Sequence, residues 1–287
     1  MPKTKKVKKP WRGRVCSPEK SVKKGRHQRF TCLDRDSLLR IVDGLKMSIP
    51  NIKTLSDYII WKKIQDHLIH VCDNESCWID KTNLDYSEKR KLHGNYRPRM
   101  PSEWKTNPRE WLDTFSIQNV LRQYQKKHKD FFFPGAVPID FDHRFSQNNC
   151  VVNELCNIDV NGLLKRGKNK LGVVFNLDKH NESGSHWIGM FAHLNEGKIY
   201  FFDSYGYEPP DEVKTLINRI KSQLESNGIA TKVQYNDIRH QRKHSECGTY
   251  CIHFIVKMLE GESFENISKN IIDDDTMFSY RKLFFND

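Results

Sequence analysis

The stretch RHQRKHSECGTYCIHFIVKML, residues 239–259, decides the fold of this chain. After Gly248, apolar residues recur at steps of three and four, which predicts a helix with one apolar face: Tyr250, Cys251, Phe254, Ile255, Met258 and Leu259. Cys247 therefore stands at the N-terminus of this helix. Unpaired backbone N–H groups and the helix dipole favour there the thiolate, which is the nucleophilic form of cysteine. Gly248 has no Cβ, so we expect it to let a substrate backbone approach closely.

A second stretch, GSHWIGMFAHLNEGKIYFFDSYG at residues 184–206, supplies the partners that a nucleophilic cysteine needs. The segment from Trp187 to Leu194 predicts one strand, Lys198 to Phe202 predicts the next, and a short loop joins them. His186 precedes the first strand and Asp203 follows the second, so an antiparallel hairpin brings both to one end. In that arrangement a carboxylate can orient an imidazole base.

The order His186-Trp187, Asp203, Gln241, Glu246-Cys247-Gly248 resembles the SUMO-specific and adenovirus-type cysteine proteases of clan CE. In that family a Gln precedes the Cys-Gly pair by six or seven residues. RHQRKHSECG and NESCWI, the latter at residues 74–79, are most similar to the group of the polyprotein-processing protease of African swine fever virus and its relatives in large DNA viruses. The resemblance covers residues 72–287 loosely and the motif positions tightly. The swine fever enzyme has Asn where this chain has Asp203, and both side chains can accept the imidazole N–H.

The resemblance implies a cysteine protease that works through an acyl-enzyme, with no metal and no cofactor. His186 would take the proton of Cys247 and later protonate the leaving amine, while Asp203 fixes the imidazole tautomer. The Gln241 amide and the Cys247 backbone N–H would donate to the oxyanion. We expect His240 and His244, which flank Gln241 and the following residues, to lie on a solvated loop. We expect Cys251 to be an ordinary buried thiol.

The resemblance also implies a substrate class. Trp187 and Trp111, the second in a Trp-Leu-x-Asp-like segment where Asp113 stands one place early, would pinch the substrate so closely that only Gly residues fit. Cleavage would then follow a Gly-Gly pair. By analogy with the large DNA viruses, the substrates would be viral polyproteins or core protein precursors cleaved during virion maturation. The site of action would be the virion core and the host cytoplasm.

Three other functions remain open. The first is a protease that removes SUMO or another ubiquitin-like modifier, which is the other main use of the family. The second is an acyltransferase, which an acetyl-CoA requirement would reveal. The third, of another class, is a basic virion protein that binds nucleic acid and carries a vestigial triad. A Cys247 that does not react with thiol probes, beside intact DNA binding, would favour this third function.

The positive charge is concentrated at one end of the chain. The net charge is +12, and residues 1–29 hold 12 of the 48 Lys and Arg but only one of the 36 acidic residues, which leaves 36 basic and 35 acidic residues in the rest. Such a tail attracts nucleic acid or other polyanions without sequence specificity. The run from Lys5 to Lys9 is also of the kind that directs nuclear import. With almost no aliphatic residues, the tail is predicted to be disordered.

The pattern after the tail predicts an α+β fold. We expect a small helical N-terminal domain and its connector over residues 30–107. A catalytic core with a central mixed sheet flanked by helices, like that of the adenovirus and SUMO proteases, would follow over residues 108–287. No run of 18 apolar residues occurs, so no membrane span is expected. Eight Cys without an apolar signal segment predict reduced thiols, and their spacings are poor for zinc.

Overall fold

The computed structural model describes residues 15–20, 30–147 and 149–286, which form two compact units. The division between the units falls after Arg99, and the second unit runs from Met100 to Phe285. Most of the predicted basic tail, residues 1–14 and 21–29, lies outside the described residues. Its predicted disorder and its attraction to polyanions therefore stay predictions.

The first unit is helical. Its helices are α1 (Arg35–Gly44), α2 (Asp57–Leu68), α3 (Glu75–Lys81) and α4 (Tyr86–His93). Each helix begins after a side chain that accepts a backbone N–H of the first turn, and these caps are Asp34, Ser56, Asn74 and Asp85. The apolar faces meet in one core that includes Leu38, Ile41, Ile60, Trp61, Ile64 and Trp78.

The described residues of the tail differ from the predicted disorder. Cys16 is buried, forms a disulfide with Cys32, and pairs as a β-bridge with Tyr96. The prediction of reduced thiols was wrong for six of the eight cysteines, because Cys72–Cys77 and Cys150–Cys156 are also disulfides. The fold brings their Cα atoms to 5.2, 5.6 and 6.7 Å, within disulfide reach. Spacing along the sequence did not reveal this proximity.

The second unit contains the strands β1 (Phe131–Phe132), β2 (Ala136–Pro138), β3 (Arg144–Ser146), β4 (Asn149–Cys150), β5 (Lys170–Asn176), β6 (Trp187–His193), β7 (Lys198–Phe202) and β8 (Lys232–Tyr235). Six of them form one sheet, in which β1, β5, β6, β7 and β8 are neighbours in that order and β2 also pairs with β5. β3 and β4 form a separate pair. β5, β6 and β7 are antiparallel, whereas β1, β2 and β8 join in parallel.

Helices cover both faces of this sheet. They are α5 (Thr114–Lys127), α6 (Asn153–Cys156), α7 (Val160–Lys165), α8 (Asp211–Ser226), α9 (Cys247–Leu259), α10 (Phe264–Lys269) and α11 (Asp274–Phe284). The core on one face joins the sheet to α5, α9, α10 and α11, and the core on the other face joins it to α7 and α8. The predicted α+β class with a central mixed sheet is confirmed. No helix in the described part of the chain is long and apolar enough to cross a membrane.

Helix α9 begins at Cys247, as predicted, but its buried residues are not confined to one face. Every residue of α9 except Lys257 is buried, because β6, α5, α10 and α11 pack around it. Glycine in β6 permits this approach: a Cβ on Gly189 would lie 3.0 Å from the Phe254 ring. The residue that precedes the helix therefore lies in the interior of the unit. The start of α9 can then meet the end of the β6–β7 hairpin.

Candidate active site

The β6–β7 hairpin brings His186 and Asp203 together. Pairing of Gly189 with Phe202 places the residue before β6 and the residue after β7 at the same end of the sheet. The His186 Nε2 atom lies 2.7 Å from the Asp203 Oδ1 atom, and both side chains are buried. The same carboxylate oxygen accepts the Tyr205 backbone N–H at 2.9 Å. The carboxylate is thus held while it orients the ring.

Cys247, at the start of α9, joins His186 and Asp203 and completes a cluster of three side chains. Burial disfavours the charged imidazolium, yet hydrogen bonds with Asp203 and with Cys247 outweigh it and raise the pKa of His186 to about 9. Because Nε2 faces Asp203, the ring nitrogen left for the thiol is Nδ1. The raised pKa favours the imidazolium form of His186 beside the Asp203 carboxylate. A cysteine that has given its proton to such an imidazole can attack a carbonyl carbon without a further base.

Tyr205 covers the imidazole and was missed from the sequence. Its ring is stacked on His186 with centroids 4.6 Å apart, and the Arg239 guanidinium lies 4.9 Å from the Tyr205 centroid. Burial raises the pKa of Tyr205, so the phenol stays neutral. The stack restricts rotation of the imidazole away from Asp203. The only sequence signal was its place two residues after that aspartate.

Gln241 is fully buried, and both ends of its amide are held. Its Nε2 donates to the Lys243 carbonyl oxygen at 2.7 Å, and its Oε1 accepts the Ser204 hydroxyl at 2.7 Å. A carbonyl oxygen can only accept, so the contact with Lys243 determines which end of the amide is nitrogen. Among the described hydrogen bonds the amide nitrogen uses one N–H in this way, which leaves the second for another acceptor.

The segment that carries Gln241 is fixed to the segment that carries Asp203. Asn236 Oδ1 accepts the Asp203 backbone N–H at 2.8 Å, and Asn236 Nδ2 donates to the Asp203 carbonyl at 2.7 Å. Gly206, with a φ of +77°, packs so closely that a Cβ would lie 2.9 Å from the Arg239 nitrogen. Sequence reasoning missed Asn236 because 33 residues separate it from Asp203.

A buried ion pair holds the residue before Cys247. Arg281 Nε, from α11, donates to Glu246 Oε2 at 2.8 Å, and Thr249 Oγ1 donates to the same oxygen at 3.0 Å. Arg281 also donates to the Ser245 carbonyl at 3.2 Å. Burial of both charges is tolerated because each one has several partners. The turn into α9 is thereby fixed from the C-terminal helix.

A cleft of about 730 Å³ lies beside the cluster, and both predicted tryptophans line it. Trp187 is 5 % exposed and its indole N–H donates to the Leu112 carbonyl at 2.9 Å, while Trp111 is 42 % exposed. Trp104 and Gly184 also line the cleft. Trp187 directly follows His186, although His186, Asp203 and Cys247 themselves are not among the residues that line the cleft. Segment 111–112 and the start of β6 line the same cleft and are joined by the indole hydrogen bond.

Two predicted environments need correction. A Cβ on Gly248 would lie 2.9 Å from Leu112 Cβ, so this glycine is explained by packing against Leu112 rather than by the expected room for a substrate. His240 is buried instead of solvated, and its Nε2 lies 2.9 Å from the Ser268 carbonyl oxygen. Burial lowers its pKa. His244 is exposed and Cys251 is buried, as expected.

Comparison with known proteins agrees with this geometry. The C-terminal catalytic domain of the Ulp1 protease family matches residues 172–286, which contain the whole cluster. A protein of Acanthamoeba polyphaga mimivirus named as a thiol protease is 32 % identical over 243 residues, 82 % of this chain and 76 % of that protein. The cysteine protease of African swine fever virus is 28 % identical over 253 residues, 81 % of this chain and 92 % of that protein.

The fold also matches a solved structure. The crystal structure of the African swine fever virus protease superimposes with a TM-score of 0.68, at 22 % identity, over 98 % of each chain. At this identity the structural similarity shows the fold alone. The type of activity is indicated by the relatives that match in sequence. A thiol beside a buried His–Asp pair on this fold is the arrangement expected of a thiol or cysteine protease, which is how the relatives are named. The chain belongs to the Ulp1 family of cysteine proteases.

Proposed function

We propose that this protein is an endopeptidase that cleaves protein chains after a Gly-Gly pair, with Cys247 as the nucleophile. The observation that carries the proposal is the position of His186. It lies 2.7 Å from Asp203, within hydrogen-bonding reach of Cys247, and next to Trp187 in the wall of the cleft. Nucleophile, base and orienting carboxylate thus meet beside a residue of the cleft wall, and the proposal is that an extended peptide reaches them from there.

The reaction would proceed in two steps. The Cys247 thiolate attacks the scissile carbonyl carbon, and the oxyanion that forms accepts the Cys247 backbone N–H and the second N–H of Gln241. The imidazolium of His186 then protonates the amine as the C–N bond breaks, leaving a thioester. In the second step the neutral imidazole takes a proton from water, whose oxygen attacks the thioester; the C–S bond then breaks, which releases the acid and restores the Cys247 thiolate beside the His186 imidazolium. Asp203 holds the ring in one tautomer throughout.

The preference for Gly would come from the two tryptophans. Trp187 is fixed by the hydrogen bond of its indole N–H to Leu112, so this wall cannot move away from a substrate side chain. Trp111 forms part of the same cleft and is half-exposed. A chain passing between two indoles keeps room for its backbone and little room for a Cβ. A narrow channel also holds the scissile carbonyl near the thiolate.

The test is a series of peptides with Gly-Gly, Ala-Gly or Gly-Ala before the cut. Each added methyl group should lower kcat/KM by about tenfold or more, since one methyl group in a tight pocket changes kcat/KM by about 10- to 200-fold. Trp187→Ala should relax this discrimination. Phe115→Ala is the matched control, because Phe115 is exposed and is not among the residues that line the cleft. Equal cleavage of the three peptides would rule out the channel.

The biological substrate would be a viral polyprotein or core protein precursor, processed where virions assemble. The viral origin of the relatives in mimivirus and African swine fever virus supports this proposal. Removal of a ubiquitin-like modifier is the second candidate, favoured by the name "SUMO-1 cysteine protease" given to swine fever virus relatives. Incubation with both substrate types separates the two: new N-termini after Gly-Gly in a precursor support processing, and cleavage of the isopeptide substrate alone supports deconjugation.

A further inference from the structure

Ser204 lies between the two halves of the site, directly after Asp203, and is 1 % exposed. Its hydroxyl is 2.7 Å from Gln241 Oε1. Its carbonyl oxygen accepts the backbone N–H groups of His240 at 2.9 Å and Gln241 at 2.8 Å. One residue thus binds the glutamine through both its side chain and its backbone.

The two contacts of the Gln241 amide make its orientation unique. If the amide turned over, Oε1 would face the Lys243 carbonyl oxygen, and two acceptors would meet with no hydrogen between them. At the other end the Ser204 hydroxyl satisfies Oε1, which is buried where water does not replace a lost donor. Together these contacts aim the remaining N–H in one direction.

Loss of the hydroxyl would remove one of these two restraints. A buried acceptor without a donor is disfavoured, so the amide would be held less firmly in the orientation seen here, with only the Lys243 contact left. An oxyanion donor is effective because it is already aimed before charge develops, and a donor that must be reoriented gives up part of its effect. The cost would therefore appear in the transition state.

We propose that Ser204 is a positioning residue that aims the Gln241 N–H at the oxyanion, which rests on the role proposed for Gln241 above. Asp203 and Ser204 are consecutive, yet they serve different groups. Asp203 acts on the imidazole through Nε2, and Ser204 acts on the oxyanion donor. Changes at the two residues should therefore have different kinetic signatures.

The experiment is a double-mutant cycle with Ser204→Ala and Gln241→Ala on a Gly-Gly peptide. Gln241→Ala should lower kcat by about 10²–10³, the usual effect of losing one oxyanion donor. Ser204→Ala should lower kcat by about tenfold, less than the loss of the donor itself, with KM and the alkaline limb of the pH profile unchanged. In the Gln241→Ala background it should cost nothing more, because the group that it positions is gone.

A peptide aldehyde gives an independent readout, since its hemithioacetal with Cys247 places an oxygen at the oxyanion position. Ser204→Ala should weaken aldehyde binding by the same factor as kcat. It should leave the affinity of an uncleaved Gly-Gly peptide for Cys247→Ala protein unaltered. Ser204→Cys, which keeps a weak donor at similar volume, should fall between serine and alanine, and it serves if the alanine variant does not fold.

Ser268→Ala is the matched control, because this serine is also buried and its hydroxyl donates to the Glu265 carbonyl oxygen. If Ser204→Ala is as active as that control, the positioning role is overturned while the protease proposal stands. An equal loss with and without Gln241 would also overturn it, since the effect would not pass through the glutamine. Unchanged kcat in Gln241→Ala would overturn both the oxyanion role and this inference, and would leave the Cys247–His186 assignment intact.

Discussion

Two histidines stand at the two ends of strand β6 and meet opposite surroundings. His186 directly precedes the strand, and His193 is its last residue. Burial by itself lowers the pKa of each ring. At His186 the hydrogen bonds of Asp203 and Cys247 reverse this effect and raise the pKa to about 9. At His193, burial leads, and Lys170 and Lys198 lower the pKa further against the opposing Glu196.

The difference follows from strand register. Lys170 and Lys198 are the direct cross-strand partners of His193, so two positive charges flank that ring. At the other end, Asp203 follows the last pair of the ladder and Cys247 begins α9, so a carboxylate and a thiol lie beside His186. A histidine at one end of this strand therefore becomes a candidate base, and the histidine at the other end stays neutral. The charged and polar neighbours of each ring determine this, whereas burial is common to both ends.

The largest contrast should appear when each ring is removed. Cys247→Ala and His186→Ala should each lower kcat by about 10⁴ or more, because nucleophile and base act as one unit. His193→Ala should cleave a Gly-Gly peptide at nearly the rate of the unmodified protein. Circular dichroism should show that all three variants are folded. Full activity in Cys247→Ala would rule out the cysteine-protease mechanism. An inactive His193→Ala would contradict the difference in role between the histidines at the two ends of β6.

Changes at the carboxylate should have an intermediate effect. Asp203→Ala should lower kcat/KM by about 10², since the imidazole loses the partner that fixes its tautomer and its charge. Asp203→Asn should be milder, because the amide oxygen still accepts the Nε2–H. The measurement is kcat/KM on the same peptide for both variants. Equal losses would mean that charge alone, and not the hydrogen bond, is what Asp203 contributes.

The pH profile should report the raised pKa of His186. The imidazolium–thiolate pair loses its proton as pH rises through about 9, so the alkaline limb of kcat/KM should lie near that value. In Asp203→Asn, which lacks the negative charge, this limb should move to lower pH. His193→Gln should leave it in place. An alkaline limb that stays fixed in Asp203→Asn would assign the titration to another group.

The stability of the folded protein should depend on the same protonation of His186. The pKa of His186 is higher in the folded chain than the ordinary value of 6.5, so its contribution is complete below pH 6.5 and is lost as pH rises through about 9. The melting temperature should therefore decline over that interval, and less so in His186→Ala. A His186→Ala protein with the same decline would show that other groups dominate.

The smallest effect belongs to the opposite end of the sheet. Lys170 forms an ion pair with Asp130 at 2.9 Å, at the partly exposed start of β5. Lys170→Ala should cost about 0.2–1 kcal/mol of stability, as surface pairs do, and should leave kcat unchanged. It should raise the pKa of His193, measured by NMR, because one of the two flanking charges is gone. An unchanged His193 titration would show that burial alone sets this pKa.

Local pattern was sufficient for the elements that carry the cluster. Two strand segments joined by a short loop located β6, β7 and the approach of His186 to Asp203, and helical periodicity located the start of α9 at Cys247. These predictions depend on residues close in sequence, whose side-chain directions the backbone determines. The matched positions of the family supplied Gln241.

The contacts that steady the cluster escaped prediction for a physical reason. Ser204 and Gln241 are 37 residues apart, and Arg281 lies 35 residues from Glu246. No periodicity links such pairs, because they meet only when separate elements pack. The Cys16–Cys32 disulfide and the buried environment of His240 depend on the same packing of separate segments, whereas the other two disulfides join residues only 5 and 6 positions apart. The single apolar face predicted for α9 likewise accounted for its contacts with the sheet but not for its contacts with the other helices.

The burial of α9 on nearly every side has a consequence for how the protein loses activity. Solvent can reach the amide hydrogens of its middle turns only if β6, α5 and α11 separate together. These amides should therefore be among the slowest in hydrogen exchange, with an opening free energy equal to that of unfolding the whole catalytic unit. Cys247 begins this same helix. Heating should then abolish activity and unfold the unit in one transition, and activity should not be lost at temperatures below that transition.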